Sequence, residues 1–196
     1  MEPAPSYRES NRARLREALI AAARELTVAH GWDAVRMVDV AGAAGVSRQT
    51  VYNEFDGRAG LAEALAVGEV ERFVERLRTE LDAHGDDAAV ATYAAILLTL
   101  DEAARNPLVR AVLTSGRGGA EGLLPYLTTR SDVVLTAAGK MLTEWVGARL
   151  PGRTEETVAL AVDAVIRLTV SHIMLPLDTP ADTATRLSGT FLRLLR

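Results

Sequence analysis

The stretch AGAAGVSRQTVYNEF, residues 41–55, decides how this chain folds. Its first third is small and apolar, as two helices require where their backbones cross closely, and Gly45 permits the left-handed turn between them. Ser47 is a good N-cap for a helix ending near Phe55, because its hydroxyl can accept an amide hydrogen of the first turn. The spacing of Ala41, Gly45 and Val51 is that of a helix-turn-helix.

The outward face of this third helix carries hydrogen-bonding side chains. With Val51 and Phe55 directed inward at i and i+4, the outward residues are Arg48, Gln49, Thr50, Tyr52 and Asn53. Arginine and glutamine match the major-groove edges of guanine and adenine. We therefore expect the helix to lie in the major groove of double-stranded DNA. An ordinary helical hairpin with a polar surface is the alternative.

Apolar residues recur at helical spacing along nearly the whole chain, which predicts an all-α protein. The first helix carries a stripe of Leu15, Leu19, Ala22, Leu26 and Ala29 and is ended by Gly31. Eight further helices are predicted over residues 37–44, 47–55, 58–83, 88–104, 107–114, 131–150, 155–175 and 180–196. The glycine-rich run SGRGGAEG, residues 115–122, predicts a mobile loop.

Composition narrows the class of protein. A chain of 196 residues, 48% hydrophobic and 24% charged, fits one or two compact domains with a sizeable core. It has no cysteine, which excludes disulfides and thiol chemistry and favours a reducing cytoplasm. No apolar run reaches the roughly 18 residues of a membrane span, and the polar start lacks a signal-peptide core. We expect a cytoplasmic protein without a membrane partner.

The charge distribution favours contact with phosphates. The net charge is −4, but the N-terminal arm carries Arg8, Arg12, Arg14 and Arg16 against only Glu2 and Glu9. A local basic patch is enough for phosphate contact, because one face makes it. A merely solvated helix start is the alternative.

An enzyme is not indicated. His30, His84 and His172 lie in three different predicted elements without metal-ligand spacing around them. The glycine-rich run lacks the lysine and the preceding strand of a phosphate-binding loop. We expect no catalytic residues, no metal site and no cofactor.

A family resemblance rests on residues 12–66. The segment from Leu19 through Gly31 and on through VDVAGAAGVSRQTVYNEFDGRAGLAEAL resembles the N-terminal domain of TetR-type transcriptional repressors. The matching positions are Gly45, Val46, Tyr52, Phe55 and Leu61. The resemblance implies a homodimeric, nine-helix, ligand-responsive DNA-binding protein. It further implies that Tyr52 and Arg58 hold phosphates while Arg48, Gln49, Thr50 and Asn53 lie nearest the bases.

The chain departs from the family pattern before the second helix. Val35 and Arg36 stand where a threonine is usual, so the hydroxyl cap is missing. Arg36 and Ser47 complete the predicted DNA-binding set. We expect residues 1–57 to form the arm and DNA-binding domain, and residues 58–196 the ligand-binding and dimerisation domain, with 58–83 as a connecting helix.

The C-terminal helices carry an excess of aromatic and flexible apolar residues, although they already have a core to fill. We predict a pocket for a small hydrophobic effector, lined by Leu97, Leu100, Leu113, Met141, Trp145, Ile166 and Val170. Core packing is the alternative for each position, and a DNA-binding or protein-interaction module without an effector is the alternative function. The run VSRQTVYNEF is similar to that of actinobacterial relatives linked to alkane or fatty-acid metabolism, which implies a fatty acyl or alkane-like effector.

The last two predicted helices favour a homodimer. The helix over 155–175 is apolar on nearly all sides, so two of its faces must be covered. We predict an interface formed by Val165, Leu168, His172, Leu187, Phe191 and Leu194, about a two-fold axis. Such a dimer is expected to bind an inverted repeat and to leave it when the effector enters.

Overall fold

The computed structural model describes residues 7–106, 108–109 and 131–196. Within these ranges the chain is helical without strands, which confirms the predicted all-α fold. The helices are α1 (Tyr7–His30), α2 (Met37–Ala43), α3 (Arg48–Phe55), α4 (Arg58–Asp82), α5 (Ala88–Arg105), α6 (Ser131–Arg149), α7 (Glu155–Met174) and α8 (Pro180–Leu194). The predicted loop 115–122 lies outside the described residues, as does the predicted helix 107–114 except for residues 108–109.

The described residues divide into two compact units, and the division falls inside α4, between Gly68 and Glu69. The first unit holds α1, α2, α3 and the start of α4, around the fully buried Leu19, Val40 and Val51. A 3-10 turn, Trp32–Ala34, leads from α1 to α2. As the sequence suggested, α2 begins without a side-chain cap.

The second unit is a helical bundle around one apolar core. Helix α8 packs against α5 and α7, and α7 also packs against α5 and α6. Side chains of Asp87, Thr154 and Thr179 cap the starts of α5, α7 and α8. The buried carboxylate of Glu69 accepts hydrogen bonds from Arg72 Nη2 at 2.8 Å and from Asn106 Nδ2 at 3.1 Å. Asn106, which ends α5, is thereby tied to α4.

Helix α7 is a core helix with one uncovered face. It is long and apolar enough to pass a length-and-composition test for a membrane span. Core helices pass the same test, and α7 buries Val158, Val162 and Ile173. On its exposed side Arg167 Nε pairs with Asp163 Oδ1 at 2.8 Å. Packing within the bundle therefore explains the buried face of α7, while Leu160 and Leu168 of the same helix remain exposed.

Three of the six residues predicted at the dimer interface lie in the core of their own chain. These residues are Val165, Leu187 and Phe191. Phe191 is only 1% exposed, so it has no surface to give to a second chain. Helical periodicity identifies an apolar face but not the neighbour that covers it. Leu168 and Leu194 are exposed, and His172 is half-buried.

Candidate nucleic-acid interface

The turn between α2 and α3 is held by its own backbone and by one side chain. Gly45 adopts φ of 69°, in the left-handed region that glycine tolerates. Val46 N donates to Ala41 O at 2.9 Å, across the turn. Ser47 Oγ accepts from Thr50 N at 3.1 Å and so caps α3. The angle between α2 and α3 is thus fixed by local sequence.

Helix α3 has a buried face and a polar face, as the sequence predicted. Val51 and Phe55 are buried in the first unit. Arg48, Gln49 and Asn53 are exposed, as are Ser47 before the helix and Tyr52 within it, while Thr50 is half-buried. One helical face therefore brings together six of the eight residues predicted to bind DNA.

The polar side chains of α3 pair with one another one turn apart. Arg48 Nη2 donates to Tyr52 Oη at 3.1 Å, and the guanidinium lies 5.1 Å from the centre of the Tyr52 ring. Gln49 Nε2 donates to Asn53 Oδ1 at 2.8 Å. The pairs orient the side chains and leave further donors and acceptors of each group open to a partner.

Arg36 and Arg58, the other two predicted DNA contacts, lie off this face. Arg36 is exposed at the start of α2. Arg58 Nη2 donates to Trp32 O at 2.6 Å, and its guanidinium lies 4.8 Å from the centre of the Trp32 ring. Arg58 therefore holds the 3-10 turn against α4, a role that the sequence analysis missed because the partner is 26 residues away.

Glu54 is a second feature that the sequence analysis missed. Its side chain, only 9% exposed, pairs with Arg12 Nε at 3.0 Å and with Arg16 Nη1 at 3.2 Å. Two of the four arm arginines thus have an internal acidic partner at the end of α3. The one signal for this ion pair in the sequence was the carboxylate itself, because it lies on a helix that is otherwise suited to bind an anion.

The predicted effector-binding residues lie in or around the core of the second unit. Leu100, Met141 and Trp145 are buried in it, and Leu97 and Ile166 pack against it half-buried. Val170 is half-buried, and Leu113 lies outside the described residues. The arrangement brings five of the seven residues to one apolar region, which suits both packing and a hydrophobic ligand.

Polar groups in this region are few. The hydroxyls of Thr99 and Thr169 donate within their own helices, each at 2.8 Å, to Ala95 O and Val165 O. The buried Trp145 Nε1 has no acceptor among the residues that the structure describes. Over the same residues, no group of three histidine or acidic side chains could hold a metal ion.

Family models match both parts of the chain. Residues 19–65 match the model described as bacterial regulatory proteins, tetR family. Residues 87–193 match the model described as bacterial tetracyclin repressor, C-terminal domain. The HTH-type transcriptional regulator AlkX of Mycobacterium tuberculosis is 34% identical over 183 residues, which cover 93% of this chain and 85% of that protein.

Solved structures agree with the family models. The TetR family repressor AlkX from Dietzia sp. strain DQ12-45-1b, implicated in biodegradation of n-alkanes, is 29% identical with a TM-score of 0.69, over 91% of this chain and 98% of that one. RolR in complex with resorcinol shares the fold at 21% identity and a TM-score of 0.62, over 95% and 89% of the two chains. The helix-turn-helix, the bundle that follows it and these matches agree: the chain belongs to the TetR family of bacterial transcriptional regulators.

Proposed function

We propose that this TetR-family repressor binds a short inverted repeat as a homodimer and releases it when a small, mainly apolar effector enters the second unit. Residues 1–57 contact DNA, residues 58–196 hold the effector and the dimer face, and residues 58–83 connect them. The protein acts in the cytoplasm. The observation that carries the proposal is the polar face of α3, whose side chains are oriented by their neighbours and remain open to bases.

The DNA contacts divide by chemistry. Arg48, Gln49, Thr50 and Asn53 face the base edges, since arginine and amide side chains match purine edges in the major groove. Ser47, Tyr52 and Arg36 surround them and suit phosphate oxygens, as does the part of the Arg58 guanidinium that Trp32 leaves open. Two copies of α3 related by a two-fold axis read two inverted half-sites about one helical turn, or somewhat more, apart.

The dimer face is the exposed apolar side of α7, continued by α8. Leu160 is 62% exposed and Leu168 is 39% exposed, and both lie on one side of α7 with Leu175 just beyond its end. Leu194 on α8 is also exposed, and His172 lies half-buried on α7. Several exposed apolar side chains on one side of a helix, beside an ion pair such as Arg167–Asp163, are typical of association sites. The same patch on a second chain covers it symmetrically.

The effector proposal rests on the apolar residues around Trp145. Leu97, Leu100, Met141 and Ile166 offer hydrocarbon surface, and Trp145 Nε1 offers one hydrogen-bond donor. The similarity to AlkX, whose Dietzia form is implicated in n-alkane biodegradation, favours an alkane-like or fatty acyl compound. A molecule with a hydrocarbon chain and one oxygen acceptor contacts the apolar residues through its chain and accepts a hydrogen bond from Trp145 Nε1.

Coupling between effector and DNA runs through α4. The helix begins in the first unit and ends in the second, so a shift of its far end changes the spacing of the two α3 helices in a dimer. Effector and DNA then prefer different spacings. By linkage, each weakens the binding of the other by the same factor.

Two measurements test the proposal. Footprinting on the DNA upstream of the protein's own gene is expected to show a protected inverted repeat, and its absence contradicts the repressor function. Trp32→Phe leaves Trp145 as the one tryptophan. In that variant, alkanes, alkanols, fatty acids and their coenzyme A thioesters are titrated while Trp145 emission and operator binding are followed together. Both are expected to change over the same concentration range.

A saturable change in emission with operator affinity unchanged contradicts the inducible mechanism. If no compound stabilises the protein against heat while operator binding is intact, a DNA-binding module without an effector is favoured.

A further inference from the structure

Glu54 places a negative charge where the DNA-binding surface is otherwise positive or neutral. It is the penultimate residue of α3, and both oxygens of its carboxylate are used, Oε2 by Arg12 and Oε1 by Arg16. The two arginines lie one turn apart on α1, so one face of α1 is tied to the end of α3. A buried carboxylate with two cations is screened by salt less than a solvent-exposed pair.

The two arginines are held to different degrees. Arg16 Nη1 also donates to Glu54 O at 3.3 Å, and its guanidinium lies 4.7 Å from the centre of the Phe55 ring. Arg12 contacts Glu54 through Nε, and its side chain is 70% exposed. Arg16 is therefore anchored with or without the carboxylate, whereas the orientation of Arg12 depends on it.

Both guanidinium groups are partly exposed, with 70% of the Arg12 side chain and 43% of the Arg16 side chain open to solvent, so we expect them to lie within reach of DNA when α3 occupies a major groove. The groove is about 12 Å wide and is bordered by two phosphate strands. A guanidinium that contacts the end of α3 is therefore close to one of these strands. Carboxylate and phosphate oxygens compete for the same N–H donors, because arginine binds both in the same planar geometry.

We propose that Glu54 acts as an internal substitute for DNA phosphate. It occupies Arg12 and Arg16 in the free protein, offsets part of their charge, and so weakens sequence-independent binding to the DNA backbone. Base contacts by other α3 side chains are unaffected, because phosphate contacts carry no sequence information. Glu54 is in this sense a residue that sets the strength of backbone binding and reads no base.

The test compares Glu54→Gln with a matched loss of charge elsewhere. Glutamine keeps the shape and one oxygen acceptor but removes the negative charge. Glu25→Gln, at an exposed position of α1, is the control for the change in net charge alone. Each protein is titrated with a duplex of scrambled sequence at several salt concentrations. Relative to Glu25→Gln, Glu54→Gln is expected to bind about tenfold tighter at 50 mM salt, with a salt slope steeper by about 0.9 for one further phosphate contact.

Arg12→Gln identifies the group that Glu54 releases. In the wild-type background it is expected to change non-specific affinity less than twofold, because the charge of Arg12 is already offset. In the Glu54→Gln background it is expected to remove most of the tenfold gain. Thermal melts of all variants show that the first unit is folded.

A different result is expected if Glu54 helps the arginines to bind phosphate. If Glu54 instead orients the arginines for phosphate contact, Glu54→Gln binds the scrambled duplex no tighter than Glu25→Gln, or more weakly. Arg12→Gln then weakens binding equally in both backgrounds. Either outcome overturns the proposal, and neither depends on the identity of the operator or the effector.

Discussion

The polar face of α3 and the apolar side of α7 are both proposed binding surfaces, but they differ in the contacts that their side chains make in the free chain. On α3, Arg48 pairs with Tyr52 and Gln49 with Asn53, so the polar groups are partly satisfied before DNA arrives. On α7, Leu160 and Leu168 have no such substitute and remain exposed. Hydrogen bonds can be exchanged for others at little cost, whereas apolar surface is stabilised by being covered. The first surface suits a reversible partner and the second a permanent one.

The largest expected effect is on the proposed dimer. Leu168→Glu places a charge in the proposed dimer face, where the neighbouring Arg167 is already paired with Asp163 Oδ1 at 2.8 Å. An uncompensated buried charge costs about 3 kcal/mol, and a symmetric interface contains two copies. The dimer dissociation constant is therefore expected to rise by roughly four orders of magnitude, giving monomers at micromolar concentration in sedimentation velocity.

Val28→Glu is the matched control for Leu168→Glu. Val28 is also an exposed aliphatic residue, but it lies on α1 in the first unit. Its substitution is expected to leave the dimer intact. A Leu168→Glu protein that sediments as a dimer at the same concentration contradicts the proposed face, and Phe191 cannot serve in its place because it belongs to the core.

An intermediate effect is expected on the base preference in DNA binding. Gln49→Ala removes an amide that we place at a base edge and also frees Asn53 from its hydrogen bond. One such contact discriminates between bases by about 1–3 kcal/mol. The preference at one position of each half-site is therefore expected to fall by roughly tenfold, as measured by binding to an operator set with single-base changes.

Tyr52→Phe gives the contrast to Gln49→Ala. It removes the phenol oxygen that we assign to a phosphate, so binding is expected to weaken about equally for every sequence in the set. If Tyr52→Phe changes the base preference, or Gln49→Ala weakens all sequences alike, the division into base and phosphate contacts on α3 is wrong.

The same two surfaces show what a sequence can and cannot predict. The helix-turn-helix was predictable because Gly45, Val46 and Ser47 act on neighbours a few residues away. The burial of Val165, Leu187 and Phe191 was not, because it depends on α5, α7 and α8 packing together. Glu54 lies 42 residues from Arg12, and spacing alone gives no signal for that pair. The sequence thus predicted the structures that neighbouring residues form, whereas it did not predict which distant residue each side chain contacts.

The smallest expected effect separates the two roles of Ser47. Ser47→Ala removes the cap of α3 and is expected to cost about 1 kcal/mol of stability, as Thr154→Ala does for the cap of α7. The two variants differ in function, since only Ser47 lies on the proposed DNA surface.

Ser47→Asp keeps a cap and favours the helix start, but it brings a negative charge towards a phosphate. It is therefore expected to melt like the wild type and bind the operator more weakly, whereas Thr154→Ala melts lower with operator affinity unchanged. If Ser47→Asp binds the operator as tightly as the wild type, Ser47 is a cap alone, and the polar surface of α3 begins at Arg48.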